Sequence, residues 1–586
     1  MYNKILWIVF TLLTLILAVF FLRYPIQNSG GDIVEYFGMT ESLIKHFGLN
    51  LTDADYDNLK HSLNPGYFIN TQNSDQNGGF FYYMKGRDEN RYAVHFPFYS
   101  LISLPVRGFL KIFNQNELLT LRMANLILLT IAVYFALRKY TSLFKRIAFL
   151  ILVYVSPIVS FILWPGPDIY YLSLLMVGGF LFFQRMYISA IILTALASWQ
   201  SQPLIILSLS FLFYYIYKNL HIEKTDGKLN FSLDPILILK SCSLILLMVV
   251  PYIYNYLIFG VLTPWTILND GWTIINGFGM QNVGLRKLYE QFFDLNIGLF
   301  WYAPLILIIG VYYALKTTRK DKKGIFVLGS LILTAIFYQT NPAWNYGTAG
   351  YGPTRHILFV IPFLIIILVD HLQYKVKHIV LLGFIVLTQL YALSFNGYLT
   401  PDFTNSLRHS VFASFVLDYF PDLYNPTPEI FVDRTNHTDL KYISSAIYKY
   451  NGICRKAYIL KHETDILKKE CGYIPSGYES QLEDEFVGIA NKSRNVWTTE
   501  ATFWPDPESC SDYFQSTSNK PYICMKTIKD MAKYTGISDL NRIKSLPEYP
   551  YPGVWVMTKG DPVKITVPPG YIINHYSMDG VYVTYQ

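Results

Sequence analysis

The stretch Gly30-Gly31-Asp32-Ile33-Val34-Glu35-Tyr36 follows the first hydrophobic segment of the chain, Leu6 to Leu22, after a short polar spacer. It places two acidic side chains three residues apart at the mouth of a membrane helix. Acidic residues at such a position are costly unless they are hydrated or used in a function. We therefore interpret this stretch as the entrance of an active site.

The composition of the whole chain is that of a polytopic membrane protein. Of its 586 residues, 52% are hydrophobic and only 15% are charged, and 48 are Tyr and 41 are Phe. No soluble globular class has this composition. The net charge of +7 indicates no nucleic-acid partner, because many Lys and Arg residues lie in short loops between apolar runs, where they set membrane orientation.

The apolar runs end near Ser394, and this change divides the chain into two predicted domains. Residues 1–400 are expected to form a transmembrane domain with a large first loop at 24–118, and residues 401–586 a soluble domain. Alternating apolar residues at 563–567 and 580–585 predict strands in the second domain, and 527–534 predicts a helix. The second domain is therefore expected to be α+β.

Clusters of basic residues set the expected topology, because such loops mark the cytoplasmic side of a membrane. They occur at 138–146, 218–228, 316–323 and 375–377. About eleven transmembrane helices keep all four clusters cytoplasmic and export the first loop and the second domain. The expected spans are Leu6 to Leu22, 119–137, 147–163, 169–184, 187–199, 203–218, 237–259, 296–316, 324–338, 356–372 and 378–395.

Two further segments bear on this topology. The exit of the first span, Arg23-Tyr24-Pro25, lacks the small-residue cleavage pattern of a signal peptide, so this span is expected to remain as an anchor. The apolar run 98–113 would reverse the sides of the basic loops if it crossed the membrane. We expect it to lie flat at the interface, where Arg107 and Lys111 reach polar surroundings.

The cysteines agree with export of the second domain. Cys454, Cys471, Cys510 and Cys524 all lie in it, whereas Cys242 lies alone within a span. Disulfides form in exported domains. Four cysteines allow three pairings, and the sequence leaves the choice among them open.

Several short motifs carry a resemblance to a known family. They are Gly31-Asp32 at the start of a helix, Tyr92-Ala93-Val94-His95-Phe96-Pro97, Trp164-Pro165-Gly166-Pro167-Asp168, Asp294-Leu295-Asn296-Ile297-Gly298-Leu299 with Tyr302-Ala303-Pro304, and Gly350-Tyr351-Gly352-Pro353-Thr354-Arg355. Together they resemble motifs of the GT-C superfamily of integral-membrane glycosyltransferases. The branch is the bacterial one similar to protein mannosyltransferases and the lipid A aminoarabinose transferase.

The resemblance covers about residues 1–400 and has two departures. Ile33 follows Asp32 where relatives often have Glu, and Gln200 stands where relatives commonly carry Arg or Lys. The second departure puts one contact to the lipid phosphate in doubt. The soluble domain matches nothing that we recognise.

The resemblance implies a GT-C fold and transfer of a sugar from a polyprenyl-phosphate carrier to an exported acceptor. The acceptor would be O-antigen, lipopolysaccharide or another cell-envelope glycan, or alternatively a protein. The active site and the soluble domain would face the extracytoplasmic side, most naturally of a bacterial inner membrane. No metal or other cofactor is indicated.

Such a transfer needs a base for the acceptor hydroxyl and a cation for the departing phosphate. Asp32 is the candidate base of an inverting reaction, and Glu35 and Asp168 are the other candidate catalytic acids. Arg355 is the candidate phosphate clamp, since a guanidinium binds phosphate oxygens bidentately. The remaining candidate substrate-binding residues are His95, Tyr36, Trp164, Gln200 and Tyr351.

Each assignment has a plainer alternative. Asp32 and Glu35 have the spacing of a helix-capping box, in which case Glu35 is the capping partner of Asp32; if Asp32 only caps, Glu35 becomes the base. Asp168 has the position of a helix N-cap. Arg355 would alternatively anchor a helix at the interface, and His95 would only pack against the first loop.

Two other functional classes remain open. A transporter or flippase of lipid-linked sugars is expected to show internal repeats and helices broken in the middle of the membrane. No repeat is found, and the informative acids lie at one predicted face. A non-catalytic scaffold of a polysaccharide complex is the third hypothesis, and the acids at both expected positions argue against it.

Overall fold

The structure is a computed structural model that describes part of the chain. The described residues are 2–24, 31–62, 83–88, 90–93, 95–225, 228–232, 234–260, 262, 283–317, 322–341, 352–395, 407–437, 445–460, 465–475 and 580–584. For a few of them, including Gly31 and Asp32, the backbone alone is described. The predicted domain boundary at residue 400 falls outside these residues.

The described chain is mostly helical. Its α-helices in chain order are α1 (Tyr2–Arg23), α2 (Gly31–His46), α3 (Asp53–Ser62), α4 (Phe98–Ile112), α5 (Thr120–Lys139), α6 (Leu143–Tyr154), α7 (Asp168–Phe183), α8 (Tyr187–Ser198), α9 (Ile205–Asn219), α10 (Pro235–Met248), α11 (Val250–Phe259), α12 (Leu285–Phe293), α13 (Leu299–Tyr302), α14 (Pro304–Thr317), α15 (Lys323–Tyr338), α16 (Val360–His371), α17 (Val376–Phe395), α18 (Val411–Tyr419), α19 (Pro428–Asn436) and α20 (Asp465–Cys471).

Within the described residues, eight short strands form three antiparallel sheets. They are β1 (Asn50–Leu51), β2 (Tyr83–Lys85), β3 (Arg91–Ala93), β4 (His221–Thr225), β5 (Lys228–Ser232), β6 (Ala446–Tyr450), β7 (Ile453–Leu460) and β8 (Gly580–Thr584). The sheet orders are β1-β3-β2, β4-β5 and β6-β7-β8. The strands of the first sheet lie between α2 and α4 in sequence, the second sheet is a hairpin between α9 and α10, and the strands of the third follow α19.

The helices identify a membrane protein but do not confirm eleven spans. Within the described residues, three helices are long and apolar enough to cross a membrane, or up to four if the pair α10 and α11, bent by 47°, is one span. Five shorter apolar helices accompany them. An α-helix rises about 1.5 Å per residue against a hydrocarbon core of about 30 Å, so a 12-residue helix is too short to cross alone.

Several predicted spans are divided in the structure, among them those at 147–163 and 237–259. The predicted span at 147–163 consists of α6 and a 3₁₀ helix at Pro157–Ile162. The predicted span at 237–259 is interrupted between α10 and α11, where Pro251 enters the helix. Proline lacks the N–H of a helical hydrogen bond and is a usual cause of such a bend.

One large apolar core joins the helices of the first domain. At its centre α7 lies directly against α16, and a Cβ added to Gly179 would be 2.8 Å from Cε1 of Phe363. The absence of a side chain at Gly179 therefore permits this close approach. On the next turn Phe182 stacks on Phe211 of α9, with 4.0 Å between the ring centroids.

The first loop folds around α2, which begins at Gly31 and confirms the helix predicted after the first span. Residues 33–43 of α2 are all buried, so this helix lies inside the protein. Helix α4 packs against it and is held by Arg107, which bonds Glu41 of α2 and, at 2.6 Å, Glu117. Arg107 is thus buried in an ion-pair cluster, where two carboxylates compensate its charge.

The C-terminal segment, which comprises the described residues from 407 onward, has a small core of its own. It is formed by α18, α19 and the sheet, and contains Ala413, Leu417, Phe431, Ala446 and Tyr458. The strand predicted at 580–585 is confirmed as β8, which pairs with β7. The expected α+β character is therefore present in the described part; the strand at 563–567 and the helix at 527–534 lie outside it.

The structure narrows the choice among the three possible cysteine pairings. Cys454 and Cys471 form a disulfide, with 5.8 Å between their Cα atoms. It ties β7 to the end of α20. Cys510 and Cys524 lie outside the described residues.

Candidate active site

The buried carboxylate of Glu35 is bonded to His95. The backbone N–H of His95 donates to Oε1 of Glu35, and Nδ1 of the imidazole lies 2.6 Å from Oε2. Glu35 is 0% exposed, whereas the His95 side chain is 32% exposed. A buried carboxylate is costly unless donors compensate it, and here both of its oxygens are engaged by one residue. The observed partner of the Glu35 side chain is therefore His95. The capping interaction that its spacing suggested involves Asp32, for which only the backbone is described.

The first-loop sheet brings these two residues together. Strand β3 ends two residues before His95, and its neighbour β2 carries Tyr83, whose hydroxyl donates to the backbone oxygens of Val34 and Glu35 at 3.1 and 3.0 Å. A Cβ added to Gly38 would lie 2.1 Å from this hydroxyl, so glycine is needed there. Burial, with the negative charge of Glu35, raises the pKa of the Tyr83 phenol well above its ordinary value and keeps it a neutral donor.

Aromatic rings connect this pair to the next helix. The Tyr36 ring lies 5.6 Å from the His95 ring and 5.3 Å from the ring of Tyr99 in α4, edge to face in the second case. Tyr99 donates its hydroxyl to Oδ1 of Asn125 in α5 at 2.7 Å. Asn125 in turn donates Nδ2 to the backbone oxygen of Trp164 at 2.9 Å. The predicted residues Tyr36, His95 and Trp164 are therefore parts of one network.

Arg355 lies at the other end of this network. Its guanidinium carbon is 5.8 Å from the centroid of the Trp164 ring, which is a cation–π contact. The residue opens a short 3₁₀ helix whose N-cap is Thr354. The contact with the indole places the guanidinium beside Trp164, and a guanidinium can bind an anion bidentately.

Asp168 joins the same cluster through Tyr171. It is the first residue of α7, only 1% exposed, and its Oδ1 accepts a 2.6 Å hydrogen bond from the Tyr171 hydroxyl. That hydroxyl also lies 3.3 Å from the backbone oxygen of Arg355. The N-cap of α7 is Pro167, and no side chain makes a capping bond there. The N-cap role weighed for Asp168 is therefore not what holds it.

Gln200 has a supporting position. Its Nε2 donates to the backbone oxygen of Phe96 at 2.7 Å, and the side chain is 4% exposed. Phe96 directly follows His95, so Gln200 fixes the turn that carries the imidazole. Within the described part of the chain, the Gln200 Oε1 atom is buried and has no hydrogen-bond partner.

The side chains of two predicted site residues, Tyr351 and Asp32, are not among the described atoms. The Tyr351 position lies outside the described residues, and for Asp32 only the backbone is described, in the first turn of α2. Asp32 lies one helical turn before Glu35, on a helix whose following residues are buried. Among the described residues, no group of three or more His, Cys, Asp and Glu side chains is placed to hold a metal ion.

Sequence reasoning missed the residues that connect the site. Tyr99, Asn125 and Tyr171 provide the links, and Tyr338 lies beside them, its hydroxyl 2.5 Å from Ser201 Oγ. Asn125 had a usable signal, because a buried amide within an apolar span is costly without a role. The tyrosines had none, since tyrosine occurs throughout this chain.

The Asp294-x-Asn296-x-Gly298 motif does not join this cluster but holds the C-terminal segment. Oδ1 of Asp294 accepts the backbone N–H groups of Asn296 and Ile297 at 2.8 and 3.0 Å, and Oδ2 accepts the Tyr424 hydroxyl at 2.9 Å. Asn296 accepts the backbone N–H of Ser410 at 2.8 Å. The Ile297 backbone oxygen accepts Thr354 N–H at 2.9 Å, which links the motif to the residue before Arg355.

Comparison with known proteins adds no family to this geometry. No protein-family model, curated protein or solved structure matches the chain. The resemblance to GT-C glycosyltransferases therefore remains a prediction, and the proposed function rests on the site itself.

Proposed function

We propose that this protein is a membrane glycosyltransferase of the GT-C type. It would transfer a sugar from a polyprenyl-phosphate carrier to an exported acceptor, with the site on the extracytoplasmic side. The observation that carries the proposal is the network itself. It joins a carboxylate–imidazole pair to a guanidinium in contact with an indole ring and to a buried acid, all from residues far apart in sequence.

The two halves of the cluster suit the two ends of the reaction. In an inverting transfer, the acceptor hydroxyl attacks the anomeric carbon, the bond from that carbon to the phosphate oxygen breaks, and a base takes the hydroxyl proton. The leaving polyprenyl phosphate is a stable anion, so a cation is needed more than an acid. Arg355 supplies that cation, and Asp32 is the proposed base.

Glu35 and His95 are assigned linked roles. A carboxylate accepts hydrogen bonds, so Nδ1 of His95 carries the proton toward Glu35, and an adjacent carboxylate stabilises the imidazolium form. The imidazolium then has Nε2–H to donate to a phosphate oxygen. Glu35 is thus a positioning residue for His95, which is the second phosphate donor of this proposal.

The other residues would shape the pocket. Trp164 offers a face for a sugar ring beside the phosphate clamp, and Asp168 orients the acceptor hydroxyl. Tyr36 and Gln200 hold His95 in place, and Tyr351 is proposed to contact the donor. No step of this scheme calls on a metal or another cofactor.

The direct test is donor turnover by purified protein in proteoliposomes. A panel of undecaprenyl-phosphate-linked sugars is supplied together with cell-envelope glycan from cells lacking the protein, whose hydroxyl groups accept the sugar. Release of undecaprenyl phosphate is followed by mass spectrometry, with Asp32→Asn protein as the matched control. Release by the wild-type protein alone is the expected result. Movement of intact donor across the bilayer without release would identify a flippase instead. Cells lacking the protein identify the acceptor by a loss of mass from surface glycan or, in the alternative, from a glycoprotein.

A further inference from the structure

A continuous row of aromatic rings runs from the membrane domain onto the C-terminal segment. Successive ring centroids are 5.4 Å apart between Tyr289 and Phe293, 5.8 Å between Phe293 and Phe300, 5.2 Å between Phe300 and Trp301, and 4.6 Å between Trp301 and Phe412. The row thus crosses from α12 through α13 to α18. Because α13 directly precedes the apolar helix α14, the α13 part of the row lies next to the first residues of α14.

Both outer helices expose an apolar stripe. On α12 the stripe is Leu285, Tyr289 and Phe293, and on α18 it is Val411, Phe415 and Tyr419, each between 42% and 86% exposed. Residues four apart lie on one face of a helix. Phe420 and Leu423, 51% and 79% exposed, extend the second stripe.

The polar side chains of these helices bond to the rest of the protein, and one of them, Arg286, is also 59% exposed. Glu290 of α12 accepts a hydrogen bond from the Thr427 hydroxyl, and Arg286 donates to the backbone oxygen of Pro426 at 3.0 Å. On α18, Asp418 accepts the Tyr448 hydroxyl at 2.8 Å. The charges therefore bind the two helices to the rest of the chain and leave the stripes without ionised groups.

We infer that α12 and α18 lie in the plane of the membrane–water interface at the Pro304 end of α14, with their apolar stripes inserted among the lipids. The C-terminal segment is then seated on the bilayer, not only on the helical domain. This inference rests on the membrane location of the chain and not on the proposed reaction.

The apolar stripes continue the lipid-facing surface of α14, and this continuity identifies lipid as what covers them. Further along α14, Ile308 and Tyr312 are 51% and 55% exposed, as expected of a helix that faces hydrocarbon. The aromatic row passes the N-terminal end of this helix and includes Trp301 and Tyr289. Trp and Tyr are enriched at the level of the lipid headgroups because their rings are apolar at one side and polar at the other. Short helices with one apolar face are the usual elements of such contacts.

Photo-cross-linking in the full chain tests the inference. Benzoylphenylalanine, which is close to phenylalanine in shape, replaces Phe415, Tyr289 or, as the control, the exposed Lys468 of α20. Each protein is reconstituted in vesicles of phosphatidylethanolamine and phosphatidylglycerol and irradiated, and adducts are identified by intact mass and peptide mass spectrometry.

We expect lipid adducts at 415 and at 289, at least tenfold above those at 468. Cross-links from 415 to another part of this chain or to a second copy would overturn the inference, as would equal lipid labelling at 468 or no lipid adduct at 415. Far-ultraviolet circular dichroism of each protein verifies that it is folded. Because Tyr289 reports from the other helix, failure of the 415 protein to fold leaves a second direct measurement of the same surface.

Discussion

The imidazole Nδ1 of His95 lies 2.6 Å from Oε2 of Glu35, although the two residues are 60 positions apart in the chain. The carboxylate is fully buried and the imidazole is partly exposed. A buried anion that orients a solvent-accessible ring is an arrangement typical of functional histidines. In the proposed function Glu35 therefore acts through His95, and this distinguishes its proposed role from that of Asp32.

Glu35→Gln should lower donor turnover by about 10- to 100-fold, because a misplaced imidazole loses contact with the phosphate. Steady-state kinetics of donor turnover measure this effect.

Glu41→Gln is the matched control for Glu35→Gln, since Glu41 is a second buried acid on α2 that bonds Arg107 outside the site. It should reduce stability but leave the rate per folded molecule unchanged. Donor turnover by Glu35→Gln equal to that of the wild-type protein would refute the proposed role of Glu35.

Arg355→Ala should lower kcat/KM for the lipid-linked donor, because the proposed cation both binds the phosphate and stabilises it as it leaves. Arg355→Lys should restore donor use poorly, because lysine lacks the planar fork that binds a phosphate bidentately. Kinetics in nanodiscs with a short-chain polyprenyl-phosphate donor measure this. Arg286→Ala is the control, since Arg286 is bound to the Pro426 backbone; if it weakens donor use while both Arg355 variants behave normally, the clamp lies at α12.

Asp32→Asn should abolish transfer, lowering its rate by about 100- to 10,000-fold, while the protein still inserts and folds. Asparagine keeps the size and much of the capping ability of aspartate, so its effect on stability should be well under about 1 kcal/mol. Turnover and thermal unfolding are measured on the same preparation. Near wild-type transfer by this variant would reduce Asp32 to a helix cap and move the search for the base to Asp168 or Glu35.

Asp294 should make the docking of the C-terminal segment depend on pH. Burial, and then the charge of Glu290, raise the pKa of this carboxyl from 3.8 to about 6. The folded protein thus holds the proton more tightly than the unfolded chain, so this group's contribution to stability falls as the pH rises from about 4 to about 6. Two pH units correspond to about 3 kcal/mol.

The comparison of Asp294→Asn with wild type isolates this effect. The neighbouring His409 has a pKa lowered by burial and by the charges of Arg434 and His437, so it contributes the opposite slope, but it does so in both proteins. Thermal unfolding in detergent from pH 4 to 7 should show the variant gaining stability relative to wild type as the pH rises. A constant difference across this range would contradict the assignment.

The topology prediction has a direct measurement. Reporter fusions after Lys322 and after Gln586 should report opposite compartments, because the basic loop at 316–323 is expected to be cytoplasmic and the C-terminus exported. A cytoplasmic C-terminus would contradict both the eleven-span topology and the placement of the active site.

Local patterns in the sequence determined the class of this protein and several of its elements. The apolar composition predicted a membrane protein, Gly31-Asp32 predicted the start of a helix that begins at Gly31, and alternation predicted the strand at 580–584. These predictions succeed because helix starts, strands and membrane partition depend on residues close together in the chain.

The tertiary structure alone decided which residues form the site and what holds them. The contact of Tyr171 with the Arg355 backbone spans 184 positions, and no periodicity encodes such a contact. The Asp294-x-Asn296-x-Gly298 motif was assigned by resemblance, but its hydrogen bonds go to Tyr424 and Ser410 of the C-terminal segment. Burial of a polar group requires a partner, and only the packing of distant helices determines which partner is within reach.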